Sequence, residues 1–459
     1  MRPAATPRWA GDAQVRVAVW AEMAAPRARV IDNTDAGSLY GVLSPFPPEP
    51  PIDAAEAGTH DVRLSADWGP AGFDGPRVAG PFALLDTART ASQAVLAARP
   101  GLALVPLTIQ WSVLNDRCNG DDAAGCIGTS HWDGRALSIL GKADVDTDEF
   151  DAHVVAHEWT HALEATVGRA DSIGGSHSSG QLKDPRLAFG EGLASGVAAM
   201  VLHPDPVYID TTGVGASRGF FQDMQDNSRD RNPGWFSEAT VRTFLYDLFD
   251  DDDEPGDAVA LGLGASSTPC WAGTPSKLRR FRRSLARGRG EGARRSRRHR
   301  RLTVALLAAP ACEIGEGLCG LDPVQDAWGT GETHSGGLDL PVYLPLGVGA
   351  PVDVALRRGG DPDSGPTNWL TNTRALRFEA ADTPLRVRAD CPPTRDVDLF
   401  VYRRGEGHGI RQRDFHRAEP GDWWIDVPAE PGQPLVALLR GPADDGEPYT
   451  CRVTLEALP

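Results

Sequence analysis

Two histidines and a glutamate are spaced so that they could share one metal ion. In HVVAHEWTHALE at 153–164, His157, Glu158 and His161 form the pattern H-E-x-x-H. On a helix, residues four positions apart lie on one face, so both imidazoles can reach the same ion. Zinc lowers the pKa of a bound water to about 7, and Glu158 could accept the proton of that water. The pattern predicts two zinc ligands and a catalytic base; His153, one turn earlier, is expected to be a packed helix histidine.

A catalytic zinc also needs a third protein ligand and an open position. In metzincins the third ligand is a histidine six residues after the motif, but Val167 occupies that position here. In gluzincins it is a glutamate on a following helix, and Glu191 in FGEGLASG at 189–196 has suitable placement. Glu191 lies 30 residues after His161, and its small neighbours permit close helix packing. We predict Glu191 as the third ligand; a solvated glutamate in the first helical turn is the alternative.

Oxyanion stabilisation requires hydrogen-bond donors besides the metal. Tyr246, on a predicted helix, and His177, in the Gly/Ser-rich loop SIGGSHSSG, are the candidate catalytic donors. A core tyrosine and an exposed loop histidine are the respective alternatives. Glu238 or Asp184 could orient a metal-bound imidazole.

Acidic residues cluster just before the motif and again after a later helix. Asp144, Asp146 and Asp148 alternate, but Glu149 stands where an EF-hand requires glycine, so an acidic helix start is favoured over a calcium loop. The run at 250–253 is expected to be a solvated helix end. Calcium is a candidate second ion, because it stabilises many exported metallopeptidases.

Hydrophobic periodicity predicts four helices and two groups of short strands. The expected helices are Phe82 to Arg99, Asp148 to Val167, Leu187 to Leu202 and Ser237 to Phe249, the last with Ser237 as its N-cap. Strands are expected at Leu102 to Leu114, Ala136 to Leu140, Leu385 to Ala389, Val397 to Arg403, Trp423 to Val427, Leu435 to Leu439 and Tyr449 to Leu455.

The predicted fold class is α+β, with a metallopeptidase-like domain followed by a β-sandwich. We divide the chain into a partial N-terminal β region at 1–66, the domain carrying the motif at 67–335 and the sandwich at 340–459. The segment 267–312 departs from this pattern because it is rich in arginine. A disordered basic loop and a local frameshift in the gene both explain it.

Charge is unevenly distributed along the 459 residues. The formal net charge is -17, yet residues 277–301 hold 13 Lys or Arg and one acid, so the rest of the chain carries a net charge of -29. An acidic body argues against a nucleic-acid partner, because binding phosphates requires positive charge. No stretch approaches the roughly 20 apolar residues of a transmembrane helix.

Seven cysteines suggest an oxidising compartment. Cys118 with Cys126, and Cys391 with Cys451, are plausible disulfide pairs, whereas Cys270, Cys312 and Cys319 lie in or near the basic segment; free buried thiols are the alternative. The N-terminus has no apolar signal-peptide core. Either the protein stays inside the cell or its signal peptide lies upstream of this sequence. We favour the second, a secreted or cell-envelope protein, because Ala13 to Trp20 already alternates like a strand.

The motifs together resemble a group of largely uncharacterised bacterial gluzincin metallopeptidases. The resemblance covers about 80–265 and rests on DVDTDEFDAHVV, HEWTH, SIGGSH, FGEGLASG and GWFSEATVRTFLYDLFDDD. It implies a zincin-like fold, in which the edge strand of a small sheet lines the cleft above the active-site helix. Two positions depart from relatives: Thr160 replaces a usual glycine, and Ser195 stands where thermolysin-like enzymes have an aspartate.

The C-terminal region resembles the bacterial pre-peptidase C-terminal (PPC) domain, which usually accompanies exported proteases. DVDLFVYRRG, PGDWWIDV and YTCRVTLEAL carry this resemblance. The favoured function is a zinc endopeptidase acting on a protein or peptide substrate. The alternative is a non-catalytic exported binding module on a disabled zincin scaffold.

Overall fold

The computed structural model resolves the chain into two regions with separate cores. The residues it describes are 14–44, 52–53, 61–118, 120–167, 177, 185–226, 237–250, 260, 262–263, 323–324, 334–335, 343–356, 373–395, 397–403, 416–419, 421–441 and 447–459. The arginine-rich segment 267–312 lies outside these ranges, as do Asp184, Cys270, Cys312, Cys319 and residues 251–253.

The first region contains the four α-helices found among the described residues, together with short strands. The helices are α1 Gly80–Ala98, α2 Ala152–Val167, α3 Pro185–Val201 and α4 Glu238–Asp247. The strands are β1 Gln14–Val15, β2 Val17–Trp20, β3 Glu22–Ala24, β4 Arg27–Asp32, β5 Ser38–Leu39, β6 Gly41–Ser44, β7 Ile52–Asp53, β8 Trp68–Gly69, β9 Gly72–Phe73, β10 Leu107–Trp111, β11 His131–Trp132, β12 Leu137–Ile139, β13 Val207–Thr212 and β14 Arg218–Asp223.

A six-stranded mixed sheet forms the base of this region. Its order is β11-β12-β10-β4-β3, and β5 also pairs with β4. The central strand β10 runs parallel to both neighbours, so that Ile109 lies between Val30 and Leu137, all three fully buried. Strands on both sides of the boundary predicted at residue 66 therefore belong to one sheet.

Helix α2 lies against this sheet and is buried along most of its length. Its apolar residues Val155 and Ala156 are inaccessible to solvent and share one core with α1 and the central strands. The run His153 to Thr160 is buried on every side, polar residues included. Polar groups in such a helix need specific partners: His157 lies 3.1 Å from Ser195 on the next helix, and Thr160 donates to the Ala156 carbonyl of its own helix.

A buried ion pair anchors the chain just before α2. Arg77 donates to the Glu149 carboxylate and to the Gly141 carbonyl, and Trp111 Nε1 donates to the same carboxylate at 3.2 Å. The Arg77 guanidinium also lies over the ring of Phe73, 5.0 Å from its centroid. These contacts join the start of α2 to the sheet and to α1.

Helices α2, α3 and α4 pack side by side, and glycines on α3 allow the close approach to α4. A Cβ on Gly192 would lie 2.5 Å from Val241 Cβ and 2.8 Å from the Glu238 carbonyl oxygen. Ser237 caps α4 by accepting from Thr240 N, as the sequence predicted. The small residues around Glu191 thus serve the close helix packing expected of them.

The C-terminal region is a β-sandwich, which confirms the β part of the predicted fold. Its larger sheet has the order β18-β25-β20-β23-β22 and its smaller sheet the order β17-β19-β24-β21. The strands from 323 onwards are β15 Pro323–Val324, β16 His334–Ser335, β17 Tyr343–Pro345, β18 Val352–Leu356, β19 Thr373–Glu379, β20 Leu385–Asp390, β21 Asp398–Arg403, β22 His416–Glu419, β23 Asp422–Val427, β24 Pro434–Arg440 and β25 Tyr449–Ala457.

Side chains from both sheets fill one core in this sandwich. Val387 and Ile425 from the larger sheet, with Leu376 and Leu439 from the smaller one, are all fully buried. The alternating burial of β23 matches the period of two that predicted it. Each sequence-predicted helix and strand named above has an observed counterpart, with ends that differ by a few residues.

Both predicted disulfides are present. Cys118 pairs with Cys126 across an eight-residue separation, and Cys391 pairs with Cys451 across 60 residues. The second joins the end of β20 to β25 within the sandwich. None of the described helices combines the length and the apolar character that crossing a bilayer needs.

Candidate metal centre

Three side chains from two helices meet in a compact cluster. His157 Nε2 lies 3.0 Å from His161 Nε2 and 3.2 Å from Glu191 Oε2, and His161 Nε2 lies 3.3 Å from the same oxygen. The two histidines project from adjacent turns of α2, and Glu191 faces them from α3. The structure therefore brings together all three residues predicted as metal ligands.

The separations fit a small divalent ion. With bonds of about 2.0–2.1 Å, neighbouring ligands of a tetrahedral zinc lie about 3.3 Å apart. The three observed separations lie at or slightly below that value. Two imidazoles and one carboxylate are also a donor set typical of catalytic zinc.

The electrostatics of the cluster favour a positive charge at its centre. Burial alone would raise the pKa of Glu191, but the positive charge of His177 and His161 and the hydrogen bonds from the imidazoles of His157 and His161 hold it well below its usual range. Burial alone would lower the pKa of His161, whereas the charge of Glu191 outweighs it and raises the pKa to about 9. A divalent cation would supply the charge that protons otherwise provide.

Ser195 supports one ligand from α3. Its Oγ lies 3.1 Å from His157 Nδ1, the ring nitrogen opposite the one that faces Glu191. Ser195 is four residues after Glu191 on the same helix, so it projects from the same face one turn later. This position, where thermolysin-like enzymes have an aspartate, therefore still provides a partner that orients the imidazole.

Glu158 and Tyr208 flank the cluster. Glu158 is 8% exposed, as is its neighbour His157, so its carboxylate is largely shielded but not sealed from solvent. Tyr208, on β13, is 7% exposed and its ring centroid lies 6.1 Å from that of His157. Burial, followed by the charge of Glu158, raises the pKa of Tyr208 well above its usual range, so the phenol keeps its proton and remains a donor.

Tyr208 was missed at the level of sequence. It lies in VYIDTT, a short strand after α3 with no motif of its own. The one available signal was the expectation that an edge strand lines the cleft. His153 packs beside Tyr208, with its ring centroid 5.7 Å from that of Tyr208. Its Nε2 is 3.4 Å from the Asp205 carbonyl oxygen, and burial lowers its pKa.

His177 lies between two carboxylates at the edge of the cluster. Its Nε2 is 3.3 Å from Glu191 Oε2, and its Nδ1 is 3.1 Å from Glu238 Oε2. Its side chain is 35% exposed, so it can face a bound molecule as well as the cluster. Glu238 thus orients His177 in this structure rather than an imidazole of the ligand pair.

Tyr246 lies elsewhere. It is 1% exposed, belongs to the main hydrophobic core and has its ring centroid 5.5 Å from that of Phe249. This placement matches the core alternative for Tyr246 and offers little access to a cleft. Thr160, at the position where relatives usually have glycine, is buried and donates to the Ala156 carbonyl one turn earlier, at 2.8 Å.

Comparisons with known proteins add little to this geometry. No model of a known protein family matches the chain, and no curated protein sequence matches it. Among solved structures, the chain is similar to the pre-peptidase C-terminal domain of a collagenase from Bacillus anthracis, with 12% identity and a TM-score of 0.19 over 25% of this chain and 94% of that one.

A second solved structure has a similar level of likeness. It is PliG of Aeromonas hydrophila, a periplasmic inhibitor of g-type lysozyme, with 12% identity and a TM-score of 0.18 over 25% of this chain and 96% of that one. At these TM-scores neither likeness supports a conclusion about function.

Proposed function

We propose that this chain is a zinc-dependent peptidase of the gluzincin type, with a zincin-like catalytic region and a PPC-like β-sandwich. The observation that carries the proposal is the convergence of His157, His161 and Glu191, whose ligand atoms lie within 3.0–3.3 Å of one another. The H-E-x-x-H spacing places Glu158 beside them, as water activation requires. Other divalent metals also accept two imidazoles and a carboxylate. The adjacent base, Glu158, is what favours zinc-dependent hydrolysis.

When bound, zinc would act as a Lewis acid that lowers the pKa of a water ligand to about 7 and polarises the substrate carbonyl. The chain's own residues then divide the remaining work. Glu158 accepts a proton from the attacking water and passes it to the amine nitrogen of the leaving peptide. Tyr208 and His177 donate hydrogen bonds to the carbonyl oxygen as it gains negative charge.

Glu238 has a positioning role in this scheme. Its carboxylate lies 3.1 Å from His177 Nδ1, so it can accept from that nitrogen and orient the ring. With Nδ1 donating to Glu238, His177 donates to the oxyanion from Nε2 in its protonated form, which is also the stronger donor.

The substrate is proposed to be a protein or peptide met outside the cytoplasm. Two disulfides among the described residues support an oxidising compartment. The acidic body of the chain disfavours nucleic acid as a partner.

The decisive experiment combines metal analysis with the Glu158→Gln variant. We expect the purified protein to contain about one zinc per chain and to cleave casein or gelatin in a chelator-sensitive manner. Glu158→Gln keeps the ligands and removes the base, so it should retain zinc and lose at least about 100-fold in kcat. Glu191→Gln should instead lose zinc.

Glu164→Gln is the matched control, because Glu164 is a buried glutamate on the same helix but not one of the three clustered ligands. It should keep zinc and stay within a few-fold of wild-type activity. Full turnover in Glu158→Gln would reject the mechanism. A wild-type protein that binds no metal and cleaves nothing would support the alternative of a disabled scaffold with a binding role.

A further inference from the structure

A second group of potential ligands lies beyond the start of α2, away from the histidines. Asp146, Asp148, Asp151 and Asp210 each place a carboxylate oxygen within 4.8 Å of those of the other three. Asp146 and Asp148 precede α2, Asp151 stands immediately before its first residue, and Asp210 is on β13. The sequence predicted an acidic helix start here, and these residues do stand at the start of α2, but Asp146 and Asp148 are buried, at 2% and 3% exposed.

Several oxygens in the group lack a hydrogen-bond partner within the described part of the chain. They are Oδ1 of Asp146, of Asp148 and of Asp210. An ionised carboxylate oxygen held out of water without a donor costs considerable free energy, and native structures rarely leave such groups unsatisfied. Two of these oxygens belong to side chains that are more than nine-tenths buried, and all lie in the group where the four carboxylates converge.

Nearby donors compensate only part of the negative charge. The Arg117 guanidinium contacts Asp146 Oδ2, with Nε at 2.9 Å, and leaves Oδ1 of that residue without a hydrogen-bond partner among the described residues. Ser130 donates to Asp148 Oδ2, and Thr211 donates to Asp151 from both its backbone nitrogen and its hydroxyl. Within the described ranges, the four carboxylates therefore share one guanidinium and neutral donors.

The uncompensated negative charge also affects how these carboxylates bind protons. Burial and the neighbouring Asp146 raise the pKa of Asp148 well above its usual range. Burial also raises the pKa of Asp210 to about 6, with Asp146 and Asp151 adding to the effect and Arg117 opposing it. Either protons or a cation must relieve this repulsion at neutral pH.

We propose that Asp146, Asp148, Asp151 and Asp210 bind a calcium ion. Oxygen atoms around one calcium, at bonds of about 2.4 Å, lie no more than about 4.8 Å apart, which is the limit that these four satisfy. A set of carboxylates alone selects hard cations over zinc. Calcium is favoured over magnesium because it dehydrates readily and accepts several carboxylates in irregular geometry.

The site would join two elements beside the candidate zinc centre, the start of α2 and β13. Asp151 leads directly into α2, which bears His157 and His161. Asp210 is two residues after Tyr208 on β13, so both side chains project from the same face of the strand. A bound cation would hold this strand against the start of α2 and thereby fix the position of Tyr208.

Thermal unfolding of the intact chain, stripped of metals on a chelating resin and then reloaded with one equivalent of zinc, tests the proposal. Calcium chloride at about 100-fold excess over its Kd should raise the midpoint by about 5–10 °C, and calorimetric titration should show one calcium per chain that magnesium displaces poorly. Because the readout is binding and stability, it is independent of whether the protein proves to be a peptidase.

Asp148→Asn and Asp210→Asn should each weaken calcium binding at least tenfold and abolish most of the thermal shift. Asp148→Asn also removes a buried like charge, so its calcium-free midpoint should equal or exceed that of wild type. Asp144→Asn is the matched control: Asp144 is exposed, lies two residues before the group, and accepts from Gly215 N at 3.1 Å, which asparagine can also do.

Two results would overturn the proposal. One is a wild-type protein with no calcium-dependent shift and no stoichiometric binding, which would mean that protons alone neutralise the carboxylates. The other is a shift that survives in Asp148→Asn and Asp210→Asn, which would place the calcium elsewhere.

Discussion

At the scale of single residues, the candidate metal centre combines three predicted ligands with neighbouring groups that could support them. The H-E-x-x-H pattern was sufficient to predict His157 and His161, because helical geometry alone brings positions four apart together. The donor to the oxyanion could not be predicted in this way, because any tyrosine near the cleft could serve. The structure favours Tyr208, beside His157, over Tyr246 in the core.

Replacing Tyr208 with phenylalanine tests its assignment. Tyr208→Phe keeps the ring that packs on His157 and removes the hydroxyl, so zinc content should be unchanged. If the hydroxyl stabilises developing negative charge, kcat should fall by about 10²–10³-fold while KM changes little. Steady-state kinetics on a peptide substrate measures both quantities.

Tyr246→Phe is the control for that experiment. It should cost about 1 kcal/mol of stability, because a buried hydroxyl is lost from the core, and leave kcat within a few-fold of wild type. Equal losses of kcat in the two variants would remove the distinction between the tyrosines.

At the scale of elements, the metal centre is a product of helix packing. Glu191 reaches the histidines only because α3 lies close to both α2 and α4. The glycines of FGEGLASG make this possible, since a side chain at Gly192 would overlap Val241 and the backbone of Glu238. The small residues could be recognised in the sequence, but the helix that each one packs against could not.

The Gly192→Ala variant should therefore affect both stability and metal binding. Its added methyl group would force α3 and α4 apart, at a cost of about 1–3 kcal/mol. The movement should shift Glu191 and Glu238 together and lower zinc affinity by at least about tenfold. Urea unfolding and a competitive zinc chelator measure the two effects.

Gly196→Ala provides the comparison on the same helix face. Its Cβ would lie 3.2 Å from the Arg242 carbonyl oxygen, a tight contact that small shifts can relieve. We expect a change in stability within about 1 kcal/mol, because alanine also favours the helix by about that amount. A larger effect at Gly196 than at Gly192 would contradict the packing argument.

At the scale of the whole molecule, the described residues form two main hydrophobic cores. One surrounds α2 and the mixed sheet, and the other fills the C-terminal sandwich, which also carries a smaller cluster around Tyr343. The Cys391–Cys451 disulfide lies in the sandwich core, and the Cys118–Cys126 disulfide lies in the first region. The units should therefore respond separately when their crosslinks are removed.

Removing the Cys391–Cys451 pair by double substitution with serine tests this expectation. The crosslink spans 60 residues, so its loss should destabilise the sandwich by up to about 4 kcal/mol through the greater entropy of the unfolded chain. In calorimetry of the full chain, the sandwich transition should move down while zinc content and peptidase activity persist. Loss of zinc on the same substitution would show that the units are coupled.

The sequence by itself determined the elements and the ligand pair. Helix and strand periods, a Ser N-cap at Ser237 and H-E-x-x-H spacing are local properties, so they can be read without knowledge of the fold. Both disulfide pairs were also anticipated, because each brackets a segment that returns on itself.

Only the tertiary structure decided which distant groups meet. No local pattern encodes the contacts between separate elements: Ser195 with His157, His177 with Glu191 and Glu238, and Tyr208 with His157. The four carboxylates at the start of α2 show the same limit. The sequence predicted only an acidic helix start at Asp144, Asp146 and Asp148, whereas the tertiary structure buries Asp146 and Asp148 and brings them together with Asp151 and Asp210. Burial and convergence depend on elements that are distant in the sequence, so no local pattern records them.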